Sequence, residues 1–276
     1  MIKEADLQYL IHNGKVCSIE EMNIENKAEE ISIYEVIRII DGIPLYLEEH
    51  LERLKKSSEL LGIQLNKTDE DLVNEIVKLI EINEGYNCNI KILCSGMEAQ
   101  IDNIYLYFIK SYYPPRSMYE EGINTILFRS ERENPNAKTY NRELRERINE
   151  ELKERKAFEA LLVNNDGGIT EGSRSNVFFV KDNILFTSPP SEVLLGVTRT
   201  KIIELCRLNE VKVVEKEASS EALQEYDGAF ITGTSTNVLP IKTIDDIRIA
   251  SCENGLIIKV MKIYEEDKNN YIKQKS

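Results

Sequence analysis

The sequence predicts an α+β fold. Helical and strand patterns are mixed without a regular βαβ rhythm, and many of the strands are joined by tight turns. With 276 residues, 42% of them hydrophobic, the chain can build two average domains or one large one around a sizeable core.

"IYEVIRII" (33–40) reads as a strand, Asp41-Gly42 as a hairpin-type turn, and Pro44 to Leu47 as a second short strand. In "LEEHLERLKKSSELLGI" the residues Leu47, Leu51, Leu54 and Leu61 fall on helical spacing, and Gly62 ends that helix. A helix capped by Thr68 is expected over about 69–82, followed by strands at 89–95 and 103–110. "SYYPPRSMYEEG" (111–122) contains two prolines and no periodicity, so it is expected to be an extended linker. A strand at 123–129 precedes "NPNAKTYNRELRERINEEL" (134–152), whose second half is a helix with Leu144, Ile148 and Leu152 on one face. Beyond it lie strands at 159–165, 176–181 and 184–187, separated by "DGG" and "DN" turns. A helix is expected at 198–210, strands at "VKVVEKE" and 228–232, and a last amphipathic helix at about 256–271.

Composition excludes several function classes. A net charge of -13 disfavours nucleic acid or an anionic membrane as partner. Five cysteines (17, 88, 94, 206, 252) show no C-x-x-C, and the only histidines are His12 and His50, so zinc and iron–sulfur sites lack ligands and no metal is expected. The same usage points away from a disulfide framework and towards a reducing cytoplasm. "MIKEADLQYL" is not a signal peptide, and no apolar run approaches the ~18 residues needed to span a bilayer.

Three stretches carry more than packing. In "ITEGSRSNVFFV", Glu171 stands between a strand and a Gly-Ser turn. In "LLGVTRTKIIELC", Gly196 precedes a helix start, where unpaired backbone N–H groups attract anions. In "FITGTSTNVLPI", a strand opens into a small hydroxyl-rich loop suited to oxyanions. Taken alone, each is also read as an ordinary cap or turn, and Lys138 as a solvated surface lysine. Together they permit a phosphate site and name no reaction.

The combination closely resembles the class IV aminotransferases. The resemblance spans about residues 32–245 through "YEVIRIIDGIPLYLEEHLERLKKS", "KTYN", "EGSRSN", "LLGVTR" and "TGTSTNVLPI". It implies a two-domain fold: a small α/β N-terminal domain (1–111), an interdomain linker (112–122) and a larger strand-rich, cofactor-binding C-terminal domain (123–276). It implies pyridoxal 5'-phosphate as cofactor, and Lys138 as the lysine that binds it covalently and carries the substrate Cα proton. Glu171 matches the acid at the cofactor's pyridine nitrogen. Arg53 matches the arginine that reaches the phosphate, with Val197, Thr198 and Thr234 supplying further donors. Leu195 would pack on the ring face, and Tyr34 would line the substrate side. A homodimer is implied too, because members complete each pocket with a loop from the neighbouring small domain; "CSGMEAQID" and Tyr105, Tyr107, Tyr112 and Tyr113 fall in that region.

The chain departs from the family at three places. "NKAEEIS" (26–32) stands where members carry a Gly-Asp-Gly-like stretch, and "CSGMEAQID" lacks the Arg-x-His that binds the substrate carboxylate in the D-amino-acid branch. Arg142 follows Asn141 where branched-chain enzymes have a tyrosine, which looks more like the aminodeoxychorismate lyases. The expected activity is transamination between a small amino acid, L- and branched-chain-like, and a 2-oxo acid. The alternatives are a lyase releasing pyruvate to give 4-aminobenzoate, and a non-catalytic cofactor-binding protein. Backbone N–H groups at Thr234 and Ser235 are expected to hold the substrate carboxylate, with Arg142 or Lys110 as the competing cation.

Overall fold

The computed structural model describes residues 4–21, 31–96, 100–131, 135–139 and 141–276. Residues 26–30 of "NKAEEIS" and 97–99 of "CSGMEAQID" lie outside the described residues. Chain contacts divide the molecule into two units, Met1–Tyr112 with Ala137–Tyr140 and Asn269–Ser276, and Tyr113–Asn136 with Asn141–Lys268.

The first unit is a six-stranded antiparallel sheet in the order β2-β1-β6-β5-β3-β4. Its strands are β1 (Ala5–His12), β2 (Lys15–Ser18), β3 (Ile31–Ile40), β4 (Ile43–Pro44), β5 (Asn89–Gly96) and β6 (Asn103–Ile109). Two helices, α1 (Leu47–Leu60) and α2 (Asp69–Asn83), share its main core. There Ile33, Ile37 and Ile39 of β3 pack with Leu51, Leu54, Ile76 and Phe108. Each such side chain contributes roughly 2 kcal/mol by leaving water.

Local chemistry explains the joints. Asp41 (φ 51) and Gly42 (φ 83) both take the left-handed conformation, which closes β3 and β4 as a two-residue type I′ hairpin. Thr68 and Asp71 form a reciprocal capping box that starts α2. The short strand expected over 44–47 shrinks to β4, because Leu47 already opens α1.

The second unit holds α3 (Arg116–Glu121), β7 (Ile123–Arg129), α4 (Arg142–Glu154), β8 (Glu159–Val163), β9 (Gly168–Gly172), β10 (Asn176–Lys181), β11 (Ile184–Thr187) and α5 (Val197–Leu208). It continues with β12 (Val213–Glu215), β13 (Ala218–Ser219), β14 (Gly228–Gly233), β15 (Asn237–Ile244), β16 (Ile247–Arg248) and most of α6 (Gly255–Lys275). The sheet runs β12-β11-β10-β14-β15-β7-β8-β9-β13, with β16 on β15. It is mixed: β7–β8, β15–β7 and β11–β12 are parallel pairs. Helix α4 is the crossover between β7 and β8, and its face of Leu144, Ile148 and Leu152 packs on Ile126, Ala160 and Leu162.

Two expectations change here. The segment read as an extended linker contains helix α3, with Pro115 at its N-cap, a place where a missing N–H and a fixed φ cost nothing. The run "VKVVEKE" keeps only Val213–Glu215 as strand. Among the described residues no helix is long and apolar enough to cross a membrane.

Candidate active site

In the first unit, β3 turns Ile33, Glu35, Ile37 and Ile39 to one buried face, so a carboxylate stands in an apolar row. Its partners come from α1. Arg53 donates through Nε to Oε1 at 2.7 Å and through Nη2 to Oε2 at 2.6 Å, a two-point fork. His50, three residues earlier on the same helix face, places Nδ1 2.9 Å from Oε2. Burial pushes the Glu35 carboxyl up, but the Arg53 charge and the hydrogen bonds from Arg53 and His50 outweigh it and hold it at about 2. Burial also pulls the His50 imidazole down, against its bond to Glu35. Arg53 is thus a buried cation held by a fully buried anion.

Lys138 is fixed by its backbone. Its N–H donates to Ser57 Oγ at 3.3 Å, one helical turn beyond Arg53, and its carbonyl accepts from Tyr34 N–H at 3.1 Å. A bridge between Ile33 and Thr139 extends the pairing with β3. The Lys138 Nζ lies 4.8 Å from the Tyr34 ring centroid, within cation–π reach. Lys91 Nζ lies 5.0 Å from the same ring and pairs with Glu4, which also accepts from Tyr107 Oη. Tyr34, Arg53 and Lys138 are therefore brought together.

In the second unit, β9 carries Glu171 at 3% exposure. The turn behind it is tied to Glu159: Ser173 Oγ donates to Oε1 at 2.6 Å, and Ser175 Oγ and Arg174 N–H donate to Oε2. A Cβ on Gly172 would sit 2.0 Å from Ser175 Oγ, so glycine leaves room for the Ser175 bond to Glu159. Glu171 Oε2 accepts from Leu194 N–H at 3.2 Å and from Asn176 Nδ2 at 3.4 Å, and Asn176 also donates to the Leu194 carbonyl at 2.8 Å. Leu195 follows, half-buried.

Helix α5 then begins. Its N-cap is Gly196, which makes no side-chain cap, so the first-turn N–H groups of Val197 and Thr198 receive no side-chain acceptor from it. A Cβ on Gly196 would sit 2.1 Å from Asn176 Oδ1, so glycine lets the helix start approach the β10 strand end. Between β14 and β15 the loop holds Thr234, Ser235 and Thr236, all half-buried. Thr236 Oγ1 and Thr232 Oγ1 are buried with no hydrogen-bond partner among the described residues. An uncapped helix start beside unsatisfied hydroxyls is a donor set that fits an anionic phosphate group.

Arg142 is exposed, with Nε donating to Glu146 Oε1 at 2.8 Å. Sequence reasoning assigned no role to Glu35, Glu159, Asn176 or Arg199. Glu35 could have been found from its phase, an acid in step with three isoleucines. The others carry no such signal. Among the described residues no group of three or more His, Cys, Asp or Glu could hold a metal ion.

One unit holds a backbone-pinned lysine near a buried arginine, and the other holds a buried acid and an open helix start. The family model for amino-transferase class IV matches residues 32–244. A D-alanine aminotransferase of Bacillus licheniformis is 30% identical over 268 residues, covering 91% of this chain and 93% of that protein. A Rickettsia bellii protein named "Probable branched-chain-amino-acid aminotransferase" is 29% identical, covering 88% of this chain and 89% of its own. In fold, the crystal structure of the Escherichia coli branched-chain amino acid aminotransferase matches with a TM-score of 0.84 at 22% identity, over 95% of each chain. The chain belongs to the class IV aminotransferase family and is a pyridoxal-phosphate-dependent aminotransferase.

Proposed function

We propose that the chain moves an amino group between a small L-amino acid with a modest apolar side chain and a 2-oxo acid. The observation that carries this reading is the Thr234–Ser235 loop, a short half-buried turn whose backbone N–H groups suit a carboxylate without a formal cation. The absence of arginine and histidine from "CSGMEAQID" supports it against a D-substrate. Identities of 30% and 29% to relatives of the two kinds do not choose between them.

Pyridoxal phosphate, when bound, supplies an electron sink for the electrons of the substrate's Cα–H bond. Arg53, the N–H groups of Val197 and Thr198, and Thr234 would hold its phosphate. Leu195 would pack on its ring. Glu171 would hold a proton at the ring nitrogen. Lys138 would attach the cofactor through Nζ and then carry the proton from the substrate Cα. Tyr34, beside Lys138, would line the substrate side.

The test is a screen of the purified yellow protein against L- and D-amino acids, followed by absorbance and by transfer to a 2-oxo acid. L-amino acids should bleach the visible band and D-amino acids should not. Pyruvate release from aminodeoxychorismate without an acceptor would assign the lyase reaction instead. A visible band that no amino acid changes would assign cofactor binding without turnover.

The carboxylate site has its own test. Ser235→Pro deletes one N–H and should raise KM for amino acids about tenfold (~1.4 kcal/mol), whereas Arg142→Ala should leave it unchanged. The reverse pattern would make Arg142 the anchor. We also infer a homodimer. Of the four tyrosines behind that inference, Tyr107 is buried, Tyr105 (stacked on His12) and Tyr113 are half-buried, and Tyr112 is 56% exposed, so Tyr107 drops out of its support. A fully active species of 31.8 kDa in sedimentation would refute it.

A further inference from the structure

Arg199 is the third residue of α5 and is 3% exposed. This is an expensive place for a cation: charge is costly to bury, and the start of a helix is its positive end. Something must compensate it. One Nη2 proton goes to the Ser188 carbonyl at 2.8 Å and the other to Glu215 Oε1 at 3.1 Å. Glu215 has a side chain 36% exposed, so water screens its side of the pair.

The Ser188 hydroxyl lies 2.8 Å from the carbonyl of Ile169 and 2.7 Å from that of Thr170, the two residues before Glu171 on β9. A chain of contacts therefore runs from α5 through Arg199 and Ser188 to the strand that presents Glu171. A second interaction acts through space. Burial pushes the Arg199 guanidinium down; the bond and charge of Glu215 and then the charge of Glu171 push it back up. By reciprocity the guanidinium favours the ionised form of Glu171. Two neutral donors, Leu194 N–H and Asn176 Nδ2, also reach the Glu171 carboxylate.

We propose that Arg199 is a positioning residue for Glu171, holding its strand through Ser188 and keeping its side chain a carboxylate by charge. Arg199 reaches the cofactor ring nitrogen only through Glu171, and the inference rests on the reading that Glu171 holds a proton there.

The experiment uses the holoenzyme reconstituted with pyridoxal phosphate isotope-labelled at the ring nitrogen, whose resonance reports ring protonation independently of turnover. Glu171→Gln is the reference and should displace that resonance towards the unprotonated position. Arg199→Gln keeps a donor for Ser188 but loses the charge; it should displace the resonance in the same direction, about half as far or more. Arg199→Lys keeps the charge and should stay near the wild type. The proposal is overturned if Arg199→Gln is indistinguishable from wild type, or if lysine and glutamine displace the resonance equally. Should Arg199→Gln not fold, Ser188→Ala is read in its place; displacement in the same direction supports the tether, and none overturns it. If Glu171→Gln itself moves nothing, the role of Glu171 has failed rather than that of Arg199.

Discussion

Lys138→Ala is expected to abolish the visible band of the bound cofactor and to cut transamination at least about a thousandfold, ~4 kcal/mol of barrier. The effect should be chemical rather than structural. Two hydrogen bonds that pin this segment, Lys138 N–H donating to Ser57 Oγ and the Lys138 carbonyl accepting from Tyr34 N–H, are made by the Lys138 backbone and survive truncation. The bridge between Ile33 and Thr139 survives too. Thermal unfolding of the unloaded variant should therefore stay within about 1 kcal/mol of wild type. A variant that retains normal turnover would remove Lys138 from the chemistry, and one that does not fold would mean that its side chain is structural.

Glu35→Gln is expected to cost about 3 kcal/mol of stability, because it leaves the Arg53 guanidinium buried without its counter-charge. The pH dependence provides a second reading. The Glu35 carboxyl is lowered from 4.5 to about 2, so the ionised form favours the folded state. That contribution is complete above about pH 4.5 and is lost as pH falls towards 2. Denaturant unfolding across this window should show a steeper loss in wild type than in Glu35→Gln. Equal slopes would mean that the carboxylate does not titrate with the fold. The variant should also bind pyridoxal phosphate less tightly, since the orientation of Arg53 depends on Glu35.

Much of the fold was legible because short-range chemistry set it. Asp41-Gly42 and Asp182-Asn183 both put two consecutive residues at positive φ, and each closes a hairpin at the turn expected from its sequence. Thr68 starts α2, and the four-residue spacing of Leu144, Ile148 and Leu152 found the buried side of α4. The N-terminal hairpin β1–β2 went unread although Asn13-Gly14, with φ 47 and 86, is a hairpin signal of the same kind. Strand β15 also went unread; Pro240 sits in it, and a proline argues against a strand paired on both sides, yet β15 lies between β14 and β7.

The sequence by itself determined the family and, through it, the cofactor, and the resemblance to that family put forward Lys138, Glu171, Arg53 and the α5 start as site residues. A resemblance rests on residue type and motif order, which a linear pattern records. The tertiary structure decided what holds those residues. Glu35 finds Arg53 18 positions away, Ser57 meets Lys138 from 81 away, and Arg199 reaches Ser188 and Glu215 across 11 and 16. Such pairs form only when strands and helices pack. A buried charge is tolerable only where packing delivers its partner, so no local spacing could have announced them.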